Sequence, residues 1–362
     1  MKLTPITIAA ALAGVALSPS DAQVPDADAL LEEIRETDRI PGVMAAVVRD
    51  GELLWSDAAG FADLESRTAL TTRTRMRIGS VSKPLTAAMV LRLVQTDQLD
   101  IDADIRTLVP ELVAPVAAEI TARHLAGHVS GIRQYDFTSM EDANNFLFYP
   151  TLESAVARVA GDPLESQPGE AFHYSSIAYN VLGLAAERAA GQAYGTAIAE
   201  LVTRPLGLDD TMIDHPLEII DRRTRFYTLF PDGVVRNTIW RDSSDYYPSG
   251  GMLSTAEDLA HFAFAVFAGG FLTAPMQDVL RTEIRTNSGE GTGYSFGWQV
   301  VRDENGDIAH YEHGGETNGA YAYIRFDPAT DTAYALIGNA NHAVGEPVFF
   351  EYARQRLPAL FD

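Results

Sequence analysis

The chain has 362 residues, 46% of them hydrophobic, enough for a large core in one big domain or two intimately packed ones. Its formal net charge of −23, without any basic stretch interleaved with aromatics, argues against nucleic-acid binding. The absence of cysteine excludes disulfides, thiolate catalysis, thiolate metal sites and a lipid-modified cysteine anchor.

The first element reads as an export signal over residues 1–22. Met1-Lys2 gives a short positive start, Ile6 to Leu17 an apolar run, and Ser20-Asp21-Ala22 a small-x-small cleavage site before Gln23. The expected location is therefore periplasmic or secreted. The apolar run is too short for a comfortable membrane span. No other stretch approaches the roughly 18 uninterrupted apolar residues of one, so no stable span is expected in the mature chain.

Residues 24–40 then read as a charged amphipathic helix with Leu30, Leu31 and Ile34 on one side. Gly42 to Val48 reads as a strand, Arg49-Asp50-Gly51 as a turn and Glu52 to Ala58 as the return strand. Pro84 to Leu99 carries an apolar face at helical spacing, with Pro84 in the first turn, where its missing N–H costs nothing. From about Asp100 to Tyr246 the pattern is mostly helical with loops, clearest over Leu152–Val159, Ala178–Ala190 and Tyr194–Val202. Ser254-Thr255-Ala256-Glu257 predicts a capping-box start for a helix through Phe267. Ser295–Arg302, Ala309–Glu312, Ala320–Phe326 and Thr332–Gly338 read as strands, and Glu346–Leu360 as a closing helix. Strands at both chain ends with a helical middle predict an α/β (α+β) architecture. An antiparallel sheet flanked by helices is built from residues 27–100 and 246–362, with a mainly helical region over 101–245.

Lys83 is the only lysine after Lys2; every other strongly basic residue is arginine. Arginine keeps its proton, whereas lysine loses it readily when buried or placed beside other cations, so a single retained ammonium points to chemistry. Lys83 stands three residues after Ser80 in Ile78-Gly79-Ser80-Val81-Ser82-Lys83-Pro84, the Ser-x-x-Lys pattern of an activated serine nucleophile. That spacing puts both side chains on one face at a helix N-terminus, whose partial positive charge favours a developing alkoxide and lowers the proton affinity of the amine.

Two further clusters are Phe172-His173-Tyr174-Ser175-Ser176 and His313-Gly314-Gly315-Glu316, the latter between two predicted strands. Their order and setting, with Gly250-Gly251-Met252-Leu253-Ser254-Thr255 before the third, resemble the serine β-lactamase-related superfamily over roughly residues 27–357. The resemblance is to class C β-lactamases, D-alanyl-D-alanine carboxypeptidases and family VIII esterases. The runs Ile120–Gly131 and Pro205–Met212 resemble the same family.

The resemblance implies a β-lactamase/transpeptidase-like fold and an acyl-enzyme on Ser80 that water later hydrolyses. It implies that Lys83 and Tyr174 share the serine proton, and that His313 hydrogen-bonds Tyr174 or a substrate oxygen. Gly314 and Gly315 would let substrate approach the strand, and the N–H groups of Ser80 and Glu316 would form the oxyanion hole. A positive charge at about 4 Å and an effective dielectric of about 20 is worth about 4 kcal/mol, or roughly three pKa units. That makes either a phenolate at Tyr174 or a neutral Lys83 accessible near neutral pH.

Two positions depart from the family pattern. Ser176 stands where many members carry asparagine, and Glu316 where a small Ser or Thr commonly follows. Ser176 loses or shortens one amide contact to an acylamino substrate. A Glu316 carboxylate pointing into the cleft repels substrates that carry a carboxylate, as β-lactams and D-Ala-D-Ala peptides do. Ester, amide or peptide substrates are therefore expected to exceed β-lactams. The alternatives are a peptide- or penicillin-binding module with little turnover and a transpeptidase. No metal or organic cofactor is needed.

Competing motifs are weaker. His124 with His128, and His310 with His313, have metal-like spacing but lack a third ligand. His124 and His128 read as structural, packing the turn at Ser130-Gly131. Gly289–Gly293 reads as a loop rather than a nucleotide site. Gly293-Tyr294-Ser295-Phe296-Gly297 matches a hydrolase elbow, but a polar loop precedes it and a strand follows, opposite to what that elbow needs. Tyr294 and Trp298 read as core or cleft wall.

Overall fold

The computed structural model describes residues 25–113, 118–136, 139, 142, 146–345 and 347–361. The export segment over residues 1–22, and Glu346, lie outside the described residues.

Helix α1 spans Pro25–Thr37. Strands β1 (Gly42–Arg49) and β2 (Glu52–Asp63) form a hairpin, and β3 (Thr68–Ala69) adds a short edge. At the other end of the chain lie β4 (Gln299–Arg302), β5 (Ile308–Thr317), β6 (Ala320–Asp327) and β7 (Thr332–Gly338). These make one seven-stranded sheet in the order β3-β2-β1-β7-β6-β5-β4, antiparallel throughout. The two chain ends meet at its centre, where Val43 pairs with Gly338 and Arg49 with Thr332.

Alternation along the central strands sorts their side chains into two cores. Met44, Ala46 and Val48 face one core together with Ala333, Ala335 and Ile337. Val43, Ala45 and Val47 face the other with Tyr334 and Leu336. The second core is covered by Leu30, Leu31 and Ile34 of α1 and by Phe349, Tyr352 and Leu357 near the C-terminus. Because both faces are covered, β1 is buried along nearly its whole length and reads as a continuous apolar run.

The larger core holds α2 (Ser82–Gln95), α3 (Ser176–Ala190) and α4 (Ala256–Phe267). Helix α2 is buried almost all round, from Ser82 through Leu91, so it runs through the protein rather than along its surface. It ends at Gln95, short of Leu99, because the chain turns through Thr96 and a left-handed Asp97.

Other boundaries also differ from expectation. The cap of α4 is Thr255, which accepts from Asp258 N, one residue later than the capping box read from Ser254. Ser295–Trp298 is not strand; β4 begins at Gln299. The His313–Glu316 cluster lies inside β5 rather than between strands, because Gly314 pairs with Tyr323 and Gly315 with Ala322 across the ladder. The closing segment is α-helical only over Phe349–Glu351, then winds wider over Tyr352–Arg356 and tightens over Pro358–Leu360. The middle region also carries short strands at Met212–Ile213, Tyr227–Leu229 and Val235–Asn237, the second of them pairing in parallel with Ala340–His342.

Candidate active site

Ser80 sits in the 3₁₀ turn Gly79–Val81, which runs directly into α2. The turn is closed by Ser82 Oγ, which donates to Gly79 O at 2.8 Å. Gly79 has φ of +50°, and a Cβ there would fall 2.8 Å from Glu316 N and O. Glycine is therefore required both by conformation and by the main chain of β5 lying against the turn. Gly315 answers the same contact from the strand side, since a Cβ on it would fall 2.1 Å from Ile78 O. Its role is close packing of the strand on the serine turn. Gly314 is looser, since a Cβ on it would meet the edge of the Phe350 ring at 3.3 Å.

Lys83, in the first turn of α2, is fully buried. Its Nζ lies 3.0 Å from Ser80 Oγ, 3.1 Å from Ser176 Oγ and 2.8 Å from Ser249 O. Among the described residues no carboxylate lies within 4.0 Å of it. Burial without a counter-charge holds its pKa well below the usual lysine value. A neutral amine has two N–H groups and one lone pair, which match these three neighbours. Ser249 O can only accept, Ser176 Oγ takes the second N–H, and the lone pair is left for the Ser80 hydroxyl proton.

Tyr174 lines the same cavity as Ser80, and Lys83 Nζ lies 4.9 Å from its ring centroid. Burial pushes the phenol above its ordinary pKa, outweighing the opposing effect of the neighbouring Ser80 hydroxyl. Burial therefore works against the charged form of both groups, the ammonium and the phenolate.

Ser176 opens α3. Ser175 caps that helix, accepting from Ala178 N at 3.0 Å and donating to Arg133 O at 2.7 Å. Ser176 N donates to Gln134 Oε1 at 2.9 Å, which fixes the serine beside Lys83.

His313 stands differently from expectation. Its Nδ1 lies 2.6 Å from Gly314 O and its Nε2 2.7 Å from the Tyr294 hydroxyl. The carbonyl can only accept, so Nδ1 carries the hydrogen and Nε2 accepts from Tyr294. Neither nitrogen is left for Tyr174 or a substrate oxygen, and the ring is buried behind the cleft wall. Burial, reinforced by Lys83, lowers its pKa to about 3.

The group behind this histidine is not evident from sequence. His128, fully buried at φ of +60°, has its ring centroid 4.3 Å from Tyr174, 4.7 Å from Tyr294 and 5.2 Å from Tyr179. Its Nδ1 accepts from Ser175 N at 3.1 Å. His128 thus packs against the Tyr174 ring. Its only sequence signal is its place in the Ile120–Gly131 run. Ser295 is buried, with Oγ directed to Trp298 O at 3.3 Å, and does not line the cleft. His124 Nδ1 accepts from Thr121 N, and His310 bonds Glu312.

Ser80, Tyr174, Ser176, Gly314, Gly315 and Glu316 open on one cavity of about 740 Å³. This joins a buried amine, a hydroxyl nucleophile and a protonated phenol at a solvent-accessible cleft. The Beta-lactamase family model matches residues 27–355. The chain belongs to the Beta-lactamase family. Its relatives in that family include esterase EstB of Burkholderia gladioli, 29% identical over 86% of this chain and 89% of that protein. The human mitochondrial serine beta-lactamase-like protein LACTB is 26% identical over 66% of this chain, which spans 56% of that longer relative. The octameric penicillin-binding protein homologue from Pyrococcus abyssi superposes with a TM-score of 0.78 at 24% identity, over 93% of this chain and 77% of that one. That likeness establishes the β-lactamase/transpeptidase-like fold.

Proposed function

We propose that the protein is a serine hydrolase that cleaves esters, amides or peptides through an acyl-enzyme on Ser80, with little turnover of β-lactams. The observation that carries this reading is the uncompensated burial of Lys83, with Nζ 3.0 Å from Ser80 Oγ. Ser80 Oγ attacks the substrate carbonyl carbon and its proton passes to Lys83 Nζ. The oxyanion that forms is held by the N–H groups of Ser80 and Glu316, whose main chains the Gly79 contact brings together. Tyr174, beside Ser80 in the cleft, delivers a proton to the leaving group and is replenished from Lys83. Water then attacks the acyl-enzyme, and its proton returns by the same groups. His313 serves as a positioning residue through Tyr294 and the β5 main chain.

Glu316 is exposed at the cleft rim, and Ser176 is shorter than an asparagine. The Glu316 carboxylate opposes the one that a β-lactam carries, and Ser176 shortens the contact open to its acylamino side chain. The likeness to an esterase supports the same preference. The proposal includes export directed by residues 1–22, giving a periplasmic or secreted protein that begins at Gln23.

The test is labelling with a fluorophosphonate, then turnover of short-chain p-nitrophenyl esters, D-amino-acid peptides and nitrocefin. Ser80→Ala is expected to lose labelling and all turnover while keeping its fold. Undiminished labelling in Ser80→Ala, or nitrocefin turnover exceeding that of the esters, overturns the reading. Intact mass of the exported protein checks the cleavage position.

A further inference from the structure

Tyr174 stands on an irregular stretch of chain, outside any helix or strand and two residues before α3 begins at Ser176. A side chain that must meet a reacting atom needs firmer support than such a stretch supplies by itself. One residue of a distant segment supplies it. His128 O accepts from His173 N at 2.8 Å, and His128 Nδ1 accepts from Ser175 N at 3.1 Å. Between these two bonds the imidazole lies against the Tyr174 ring, with centroids 4.3 Å apart and planes tilted by 39°. His128 thus grips three consecutive residues, the tyrosine and both of its neighbours.

His128 holds this place against its local preferences. It follows the short helix Ala122–Ala126 with φ of +60°, at a position where helices ordinarily end on Gly or Asn. Nδ1 accepts, so Nε2 carries the hydrogen, and that donor is buried without a partner among the described residues. A left-handed backbone and an orphaned buried N–H both count against the residue, and the contacts with 173–175 are what set them off. The grip is itself backed by aromatic neighbours. The Tyr294 and Tyr179 ring centroids lie 4.7 Å and 5.2 Å from that of the imidazole, and the Tyr179 hydroxyl is tied to Ala126 O at 2.8 Å. Burial keeps the imidazole neutral, as acceptance at Nδ1 requires.

We propose that His128 is a positioning residue of the reaction, which holds the Tyr174 phenol where it can protonate the leaving group. The inference deepens the proposed mechanism and rests on Tyr174 being its acid. In that step the bond from the acyl carbon to the leaving oxygen breaks, and the Tyr174 hydroxyl proton passes to that oxygen. The phenolate left behind takes the proton that Lys83 Nζ received from Ser80.

Two esters with the same acyl group test the proposal. The leaving group of p-nitrophenyl butyrate departs without a proton, whereas that of ethyl butyrate needs one. His128→Asn tolerates the left-handed backbone and puts an acceptor where Nδ1 stands, but removes the ring that lies on Tyr174. Its kcat/KM is expected to fall at least about tenfold further for ethyl butyrate than for p-nitrophenyl butyrate. A merely structural loss would lower both alike. In a Tyr174→Phe background, His128→Asn should change the ratio of the two esters by less than about twofold, because the acid it positions is gone. Equal losses on both esters, or a leaving-group effect that persists in Tyr174→Phe, overturns the inference. Fluorophosphonate labelling of Ser80 and a cooperative thermal transition report whether each variant is folded. If His128→Asn does not fold, the same ratio in His128→Phe, which keeps a ring but loses the acceptor, decides the matter. A wild type that fails to label, or that turns over neither ester, strikes the hydrolase reading instead. Tyr174→Phe losing no more on ethyl butyrate than on p-nitrophenyl butyrate strikes the acid role of the tyrosine.

Discussion

Tyr294 donates its hydroxyl to His313 Nε2 across 2.7 Å, and this bond turns the histidine away from the cleft. With Nδ1 committed to Gly314 O, the imidazole is a neutral strut whose pKa lies at about 3. No inflection in the pH–rate profile between pH 5 and 8 should therefore come from His313. Tyr294→Phe strands a buried nitrogen lone pair and is expected to cost about 1–3 kcal/mol of stability. The shape of the profile should survive. Urea denaturation and kcat/KM against pH check the two halves separately; a new kinetic pKa near 6.5 in the wild type that disappears in His313→Asn would contradict this placement.

Lys83 gives a second expectation, with its sign set by burial. Its folded pKa lies well below the ordinary 10.5, so between the two values the unfolded chain binds more protons than the folded one. Wild-type stability should rise with pH across that window relative to Lys83→Met, which has no such group. The activity, which needs the neutral amine, should rise in the same direction. Lys83→Arg keeps its proton and should lose about 10²–10⁴-fold in kcat/KM. Denaturation of wild type and Lys83→Met from pH 6 to 9 reads the stability difference directly.

The two glycines of the third cluster should behave differently. Gly315→Ala places a Cβ 2.1 Å from a main-chain oxygen, Ile78 O, that cannot move without displacing the serine turn. A loss of about 1–3 kcal/mol and a fall in kcat are expected. Gly314→Ala meets only the Phe350 ring, at 3.3 Å, which can swing aside. Thermal unfolding of the pair should rank Gly315→Ala clearly below Gly314→Ala; equal melting temperatures would show that β5 does not press on the turn.

What the chain discloses before folding depends on whether a signal is local. Ser80 and Lys83 lie within one helical turn, and the lone lysine marks them without reference to the rest of the protein. The central strands are legible because both of their faces are buried, leaving unbroken apolar runs such as Val43–Val48. The direction of His313 is not legible in this way. Strand parity decides which side each residue faces, and the Gly314-Gly315 pair hides the alternation that would reveal it. His128 and Tyr294 meet only in the folded state, from segments that read separately as a turn and a polar loop.

Glu312 supplies an acid-side prediction one residue from His313. Burial works against its charge, but His310, Tyr323 and Arg354 outweigh that and bring its pKa to about 2. The Tyr323 hydroxyl donates to it at 2.6 Å and Arg354 Nε at 3.0 Å, so the carboxylate ties β5 to β6 and to the C-terminal segment. Since the folded pKa lies below the ordinary 4.5, the stabilisation is complete above pH 4.5 and is lost as pH falls toward 2. The fall from 4.5 to about 2 corresponds to about 3 kcal/mol. Glu312→Gln should remove that part of the acid sensitivity, being less stable than wild type at pH 7 and closer to it at pH 3. Parallel denaturation curves whose separation does not shrink on acidification would mean that the carboxylate contributes through shape rather than charge.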